Sequence, residues 1–264
     1  MIKVDDADRV RLITFDRPEA RNAFNADLYL AVADALGEAD QRDDIAVVVL
    51  TGEGSAYSAG QDLAEMGRLS DPATRAETAG ERAPHGFQRF IGALEVFPKP
   101  LVAAVNGVAV GLGTTMLPYC DLVLASTSAR FRLPFASLGV VPEAGSTFNL
   151  PAVMGRQAAA HVFFTADWMD AREAAECGLV WRLCEPEQLV AEALEVARAI
   201  ARMPIASLVE TKRLLLATRQ DAAHAARMRE EEVFKSLTGA PANREAIAAF
   251  LEKREPDFTN LSKE

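Results

Sequence analysis

Two short stretches of this chain are apolar without a break and rich in β-branched residues: 45–51, IAVVVLT, and 101–105, LVAAV. A strand with one wet face alternates, whereas an unbroken apolar run reads as a strand covered on both faces, the signature of a parallel sheet. Residues 9–15 form a looser strand pattern that stops at the turn-forming Asp16-Arg17-Pro18. Between it and the first buried run, Leu28, Val32, Ala35 and Leu36 recur at helical spacing, so a helix starting at Asn25 or Asp27 and stopping near 37–40 is expected. The unit repeats with a helix over 87–97, the strand 101–105, a helix over 113–119 and a strand over 122–125. Strand and helix in alternation imply an α/β fold with right-handed crossovers.

Beyond Pro151 the pattern turns almost wholly helical, with stretches at 157–164, 171–177, 186–203, 205–218, 222–237 and 243–253. The third carries Leu189, Ala193, Leu194, Ala197 and Ile200 on one face. The 264 residues contain no linker-like Gly/Ser/Pro run, which reads as one main domain with a helical tail.

Charge narrows the partners. With 28 Lys+Arg against 38 Asp+Glu, the net charge of −10 repels phosphate backbones and anionic lipid, so nucleic acid and membrane surfaces are not expected partners. Cys120, Cys177 and Cys184 are too scattered for a disulfide framework and read as buried small hydrophobes. No metal-ligand spacing occurs, so no metal is expected. The first ten residues, MIKVDDADRV, lack the apolar core of a signal peptide, and a cytoplasmic location follows as the expectation. The uncharged run 100–120 is broken by Asn106, Gly107, Gly111, Gly113 and Pro118, which fits strand, turn and helix start rather than a membrane span.

Among candidate sites, Gly111-Leu-Gly113-Thr-Thr-Met116 lacks the third glycine of a dinucleotide fingerprint. There is no phosphate-binding GxxxxGK[ST], no GxSxG elbow, and His85, His161 and His224 have no companion nucleophile motif, so each reads as surface or packing. The two glycine-bearing turns after the buried strands carry more: Gly52 to Leu63 and Asn106 to Gly113. Two turns at adjacent strand ends can aim two backbone N–H groups into one crevice, which makes an oxyanion hole without side chains. The alternative is that these glycines do no more than make tight turns.

A family resemblance enters through these residues. Ser58-Ala-Gly-Gln-Asp62-Leu, Lys99-Pro-Leu-Val-Ala-Ala-Val-Asn-Gly107 with Gly111 and Gly113, Cys120-Asp121-Leu-Val-Leu-Ala, Phe131-Arg-Leu-Pro134 and Leu138-Gly139-Val-Val-Pro142 resemble the crotonase (enoyl-CoA hydratase/isomerase) superfamily in order and spacing. The likeness continues through 166–171, Glu173-Ala174 and Gly178-Leu-Val. It implies a spiral of ββα units over 1–200, a C-terminal helical trimerisation region over 201–264, a homotrimer or dimer of trimers, and an acyl-CoA thioester as substrate. CoA is then part of the substrate, and no separate cofactor is implied. Carried over residue by residue, the hole donors are the N–H groups of Gln61 and Leu112. Substrate contacts fall at Arg21, Ala23, Ala59, Asp62, Leu63, Gly111 and Phe135, the last among the residues that shape the acyl pocket.

Departures from the pattern set the subclass. Where hydratases of the superfamily place two glutamates, this chain has Thr115 and Phe135, neither able to move a proton near neutral pH. An acid appears instead in Pro142-Glu143-Ala-Gly-Ser146, a segment that resembles the peroxisomal-type delta-3,delta-2-enoyl-CoA isomerases, as do Leu133-Pro134-Phe135 and 146–151. The resemblance implies Glu143 as a proton shuttle moving a double bond from C3 to C2. The alternatives are hydration or another crotonase reaction, a non-catalytic acyl-CoA-binding module, and for Glu143 itself a helix cap or solvated loop acid. Two further expectations follow: the polar 65–81 stretch resembles the segment covering the acyl pocket, and Lys212, Arg213 and Arg219 read as a solvated helix face that could alternatively reach a CoA phosphate.

Overall fold

The computed structural model describes residues 1–62, 83–259 and 261, with 83–85 as backbone only. Among the described residues, ten strands form two sheets. The larger has the order β1 (Ile2–Ala7), β2 (Val10–Phe15), β3 (Val47–Gly52), β5 (Leu101–Val105), β7 (Leu122–Ser126), β10 (Arg182–Cys184), and all its pairings are parallel except β1 with β2. The smaller runs β4 (Ala56–Ser58), β6 (Val108–Val110), β8 (Arg130–Arg132), β9 (Trp168–Asp170), parallel apart from its last, antiparallel pair. β3, β5 and β7 of the first sheet are each followed by a short strand of the second, so β3–β4, β5–β6 and β7–β8 are successive turns of one spiral. The expected α/β, crotonase-like spiral is what the chain forms.

The unbroken apolar runs are explained by what covers them. In β3, Val48 and Leu50 join one cluster with Leu28, Val32 and Leu36 of α1 (Ala26–Gln41) and Phe90 and Ile91 of α2 (Ala83–Val96). Val47 and Val49, one residue out of phase, join a second cluster with Leu189, Ala193 and Ala197 of α7 (Leu189–Ala201). A period of two sends alternate side chains to opposite faces, and both faces are dry. The alanine stripe of α7 lets that helix lie close on the sheet.

Helix boundaries follow local chemistry with tertiary corrections. Asn25 caps α1 by accepting the Leu28 N–H at 3.0 Å, but the helix runs past Gly37 to Gln41, because packing of the fully buried Ala39 outweighs the roughly 1 kcal/mol cost of an interior glycine. The single helix expected over 113–119 is instead α3 (Leu112–Thr115) followed by a separate 3₁₀ turn, Leu117–Tyr119, with Pro118 near its start. Four short strands, β4, β6, β8 and β9, and the acidic β1 gave no pattern long enough to read. The helices of the second half are α4 (Ser146–Met154), α5 (Arg156–Thr165), α6 (Ala171–Glu176), α7, α8 (Ile205–Leu216), α9 (Gln220–Leu237) and α10 (Pro241–Glu252). β9 and β10 lie among them, where strands were expected nearly to vanish. Cys184 is buried as expected, whereas Cys120 and Cys177 are only half-buried; all three are free thiols. Among the described residues, no helix is long and apolar enough to cross a membrane.

Candidate active site

The two glycine turns do come together. Phe24 pairs with Gln61 in a parallel bridge, taking Gly60 O at 2.7 Å and giving its own carbonyl to the Asp62 N–H at 2.9 Å. Strand geometry then turns the Gln61 N–H to the side away from Phe24. On the other turn, Leu112 is the first residue of α3, so its N–H belongs to the helix-start donors that no intrahelical carbonyl reaches. Gly111 holds that start at φ 52°, ψ −117°, and its own N–H is taken by Arg132 O at 2.9 Å.

Closeness explains the glycines. A Cβ on Gly60, which sits at φ +86°, would fall 2.5 Å from Val110 O and 3.4 Å from Leu112 N; one on Gly113 would fall 2.6 Å from Ser58 O. Backbone therefore packs on backbone where the turns meet, and the reading of these glycines as mere turn-formers gives way to a close approach. Three polar side chains pin the turns. Asn22, fully buried, donates to Glu53 O and Ala56 O at 2.9 and 2.7 Å and accepts the Arg17 N–H at 2.9 Å. Ser58 Oγ donates to Asn22 O at 2.9 Å and accepts the Gly60 N–H at 3.1 Å. Asn106 accepts the Gly52 N–H at 3.1 Å and donates to Gly54 O at 2.9 Å.

At the entrance, Arg21 is exposed, and its carbonyl accepts the Ala59 N–H at 2.9 Å. Ala23 is buried, and its carbonyl accepts from the Arg17 guanidinium. Asp62 forms an ion pair with Arg17 at 3.2 Å, so its carboxylate is held by the protein itself. Leu63 and the 65–81 stretch lie outside the described residues. Phe135 is 6% exposed and belongs to the main core cluster, so its ring is packed inside the protein.

Glu143 stands on the turn between the 3₁₀ segment Ala136–Leu138 and α4. Part of the residue's surface remains accessible, but its carboxyl is enclosed: burial, with a smaller contribution from the charge of Glu230, pushes its pKa up to about 8 against a weak opposing bond from Thr115. Thr115 Oγ1 stands 3.4 Å from Glu143 Oε1. Thr115 is itself fully buried at the end of α3, so the acid and the Leu112 donor belong to neighbouring parts of one site. Burial raises the proton affinity of this carboxyl, which distinguishes it from a fully solvated loop acid.

Two residues went unmarked in the sequence. Glu230 of α9 reaches across to the turn that carries Glu143, where its carboxylate accepts the N–H groups of Gly145 at 2.6 Å and Thr147 at 2.8 Å. Tyr119 donates to Ala144 O at 2.7 Å. Neither carries a local signal, since a glutamate on a polar helix normally faces water. The solvated face expected of Lys212, Arg213 and Arg219 is corrected as well. Lys212 is 4% exposed, pairs with Asp121 at 2.8 Å and donates to Lys99 O at 2.9 Å; Arg219 donates to Pro118 O at 3.2 Å; only Arg213 is on the surface, beside Glu210. Apolar packing around the aliphatic stem and a waiting carboxylate draw the lysine inward. His161 is exposed and His224 lies 3.4 Å from Glu95, neither near Glu143 by any contact seen here.

Comparison with known proteins agrees with this fold. The family pattern described as "Enoyl-CoA hydratase/isomerase" matches residues 5–261. The chain is 34% identical over 251 residues, 95% of each chain, to the 1,2-epoxyphenylacetyl-CoA isomerase of Escherichia coli K12. To the 2,3-dehydroadipyl-CoA hydratase of the same organism it is 36% identical over 250 residues, again 95% of each. A crystal structure of an enoyl-CoA hydratase/isomerase from Pseudoalteromonas atlantica T6c superposes with a TM-score of 0.90 at 38% identity, covering 98% of this chain and 99% of that one. With the spiral, the paired turns and the enclosed acid already in place, the chain belongs to the enoyl-CoA hydratase/isomerase family.

Proposed function

We propose that this enzyme shifts a double bond of an enoyl-CoA thioester from C3 to C2, with Glu143 carrying the proton and the N–H groups of Gln61 and Leu112 holding the thioester oxygen. Ionised Glu143 takes a proton from C2; the electron pair moves through the carbonyl to give a dienolate whose oxygen is stabilised by the two N–H groups. The protonated Glu143 then delivers the same proton to C4, leaving the C2–C3 double bond and the original carboxylate. Atoms and charge balance without water or a further cofactor. This is the reaction implied by the likeness of the Pro142–Ser146 segment to peroxisomal-type delta-3,delta-2-enoyl-CoA isomerases.

The observation that carries it is the enclosed carboxyl of Glu143 with a pKa raised to about 8, in a site where Thr115 and Phe135 supply no second acid. A base of raised proton affinity is better matched to a weakly acidic C2–H, and a placed base contributes roughly 10²–10⁴ in rate, an oxyanion donor roughly 10²–10³. Arg21, Ala23, Ala59, Asp62 and Leu63 are proposed to border the CoA moiety, with Gly111 and Phe135 on the acyl side. Residues 201–264 are proposed to assemble the chain into a homotrimer or dimer of trimers, a reading supported by the exposed Leu214, Leu215, Phe250 and Leu251 and tested by sedimentation.

Hydration is the second reading, favoured by the 2,3-dehydroadipyl-CoA hydratase among the relatives. Supplying 3-enoyl-CoA and 2-enoyl-CoA side by side to the enzyme and to Glu143→Gln separates the two. Isomerisation lost in the variant, with little hydration in either protein, is the expected outcome. Robust hydration that survives the substitution would reject the isomerase assignment, and tight CoA binding without turnover would point to a binding module.

A further inference from the structure

Glu143 sits on a turn that local sequence does not hold in place. Its neighbour Ala144 adopts φ 60°, a left-handed conformation that costs a residue with a Cβ about 1 kcal/mol, and Gly145 follows at φ 68°. Gly145 is the N-cap of α4 but has no side chain with which to accept the helix's free N–H groups. Glu230 supplies the acceptor from 85 residues away, bonding the N–H groups of Gly145 and Thr147 and the Thr147 hydroxyl. At 5% exposure the carboxylate is taken out of water to do so, and its negative charge lies at the positive end of the helix dipole. Tyr119 closes the other side of the turn through Ala144 O. The Glu143 side chain is thus aimed by two anchors on either side of one strained peptide, and Glu230 is the one that bonds the backbone twice.

We propose that Glu230 is a positioning residue for the proton shuttle: from the C-terminal helix α9 it clamps the 143–147 turn and so keeps the Glu143 carboxyl within reach of the substrate carbons. This rests on the function proposed above for Glu143. The charge that acts on Glu143 is that of Glu230, and the one that acts on Glu230 is Arg229 of α9; Tyr119 beside the turn feels Glu230 together with Glu95 of α2 and Arg227 of α9, while Thr115 faces Glu143 as a neutral donor. Removing the Glu230 charge therefore eases ionisation of Glu143, whose raised proton affinity Glu230 helps to sustain.

The test uses the full chain and Glu230→Gln, which keeps the side chain's size and one carbonyl acceptor. Expected is a kcat for isomerisation lowered about 10- to 100-fold with KM within about threefold, since a shift of about 1 Å in a catalytic group costs on that order. The rising limb of the pH–rate profile moves to lower pH by about half a unit or more. Amide exchange of residues 143–148 rises at least about tenfold while exchange in β3 and β5 stays put. Wild-type kcat, pH profile and exchange in Glu230→Gln would overturn the proposal. Should that variant not fold, Thr147→Val removes the hydroxyl bond alone, and a local rise in exchange at 143–148 or its absence decides the matter. Glu143→Gln, run in parallel, keeps the two claims apart: activity surviving there removes the proton-shuttle role, while the exchange measurement still judges the clamp.

Discussion

The two halves of the site are built in different ways. The hole proposed for Gln61 and Leu112 is backbone on backbone: two turns at the ends of parallel strands, pressed together at Gly60 and Gly113, and pinned by Ser58 and Asn106 from the turns themselves and by Asn22 from the segment before α1. The acid half is a strained loop held by side chains from distant segments, Tyr119 and Glu230. A donor array made of main chain tolerates almost any side chain but no added Cβ at its crossing points. An acid on a clamped loop depends on particular side chains, and its proton affinity is set by what encloses it.

The largest effect should come from the acid. Glu143→Gln is expected to lower kcat for isomerisation about 10²–10⁴-fold with the fold unchanged, as read by steady-state assay and circular dichroism. A loss of less than about tenfold would mean that another group moves the proton.

Next comes the crossing of the turns. Gly60→Ala forces a Cβ to within 2.5 Å of Val110 O at a φ of +86° and is expected to cost about 3 kcal/mol or more by urea unfolding. If Gly60→Ala is tolerated at under about 1 kcal/mol, the backbone approach described here is looser than the contrast requires.

Stability against pH probes the enclosure of the acid. Folded Glu143 keeps its proton up to about pH 8, whereas in the unfolded chain the same group releases it near its ordinary 4.5. Between those values the folded state binds more protons, so stability falls as pH rises across that window. Glu143→Gln removes this dependence and should be more stable than the parent at pH 9 by roughly 2–4 kcal/mol, the full linkage being reduced by partial access of water through the cleft. Parallel stability curves for the two proteins between pH 5 and 9 would show the carboxyl to be solvated after all.

The smallest effect tests the strained peptide. Ala144→Gly relieves the left-handed strain at φ 60° and should raise thermal stability by about 1 kcal/mol or less. With Tyr119 and Glu230 still clamping the turn, kcat should stay within about threefold. A larger drop would mean that the methyl group, rather than the two anchors, orients the acid.

The same contrast governs what could be read in advance. IAVVVLT and LVAAV announced buried parallel strands because an unbroken apolar run is a property of the residues themselves, and strand–helix alternation gave the α/β class, while the spiral was implied by the family resemblance. β4, β6, β8 and β9 stayed hidden because three residues carry too little periodicity to register, and their pairing is settled by the spiral. Glu143 was legible as an acid in a marked segment, while its burial was not. Lys212 read as a solvated cation, and only the packing of α8 against the sheet end brings it to Asp121.

A family resemblance named the candidate acid and hole donors; from the residues alone came the two-faced sheet, the helical second half and the acidic net charge. Those depend on composition and on spacing over a few residues, and both are local. What tertiary structure decided was the pressing together of the two glycine turns, the raised proton affinity of Glu143, and the clamp from Glu230. Each of these is a matter of distance and solvent exclusion between groups far apart in the chain, which no short-range pattern encodes.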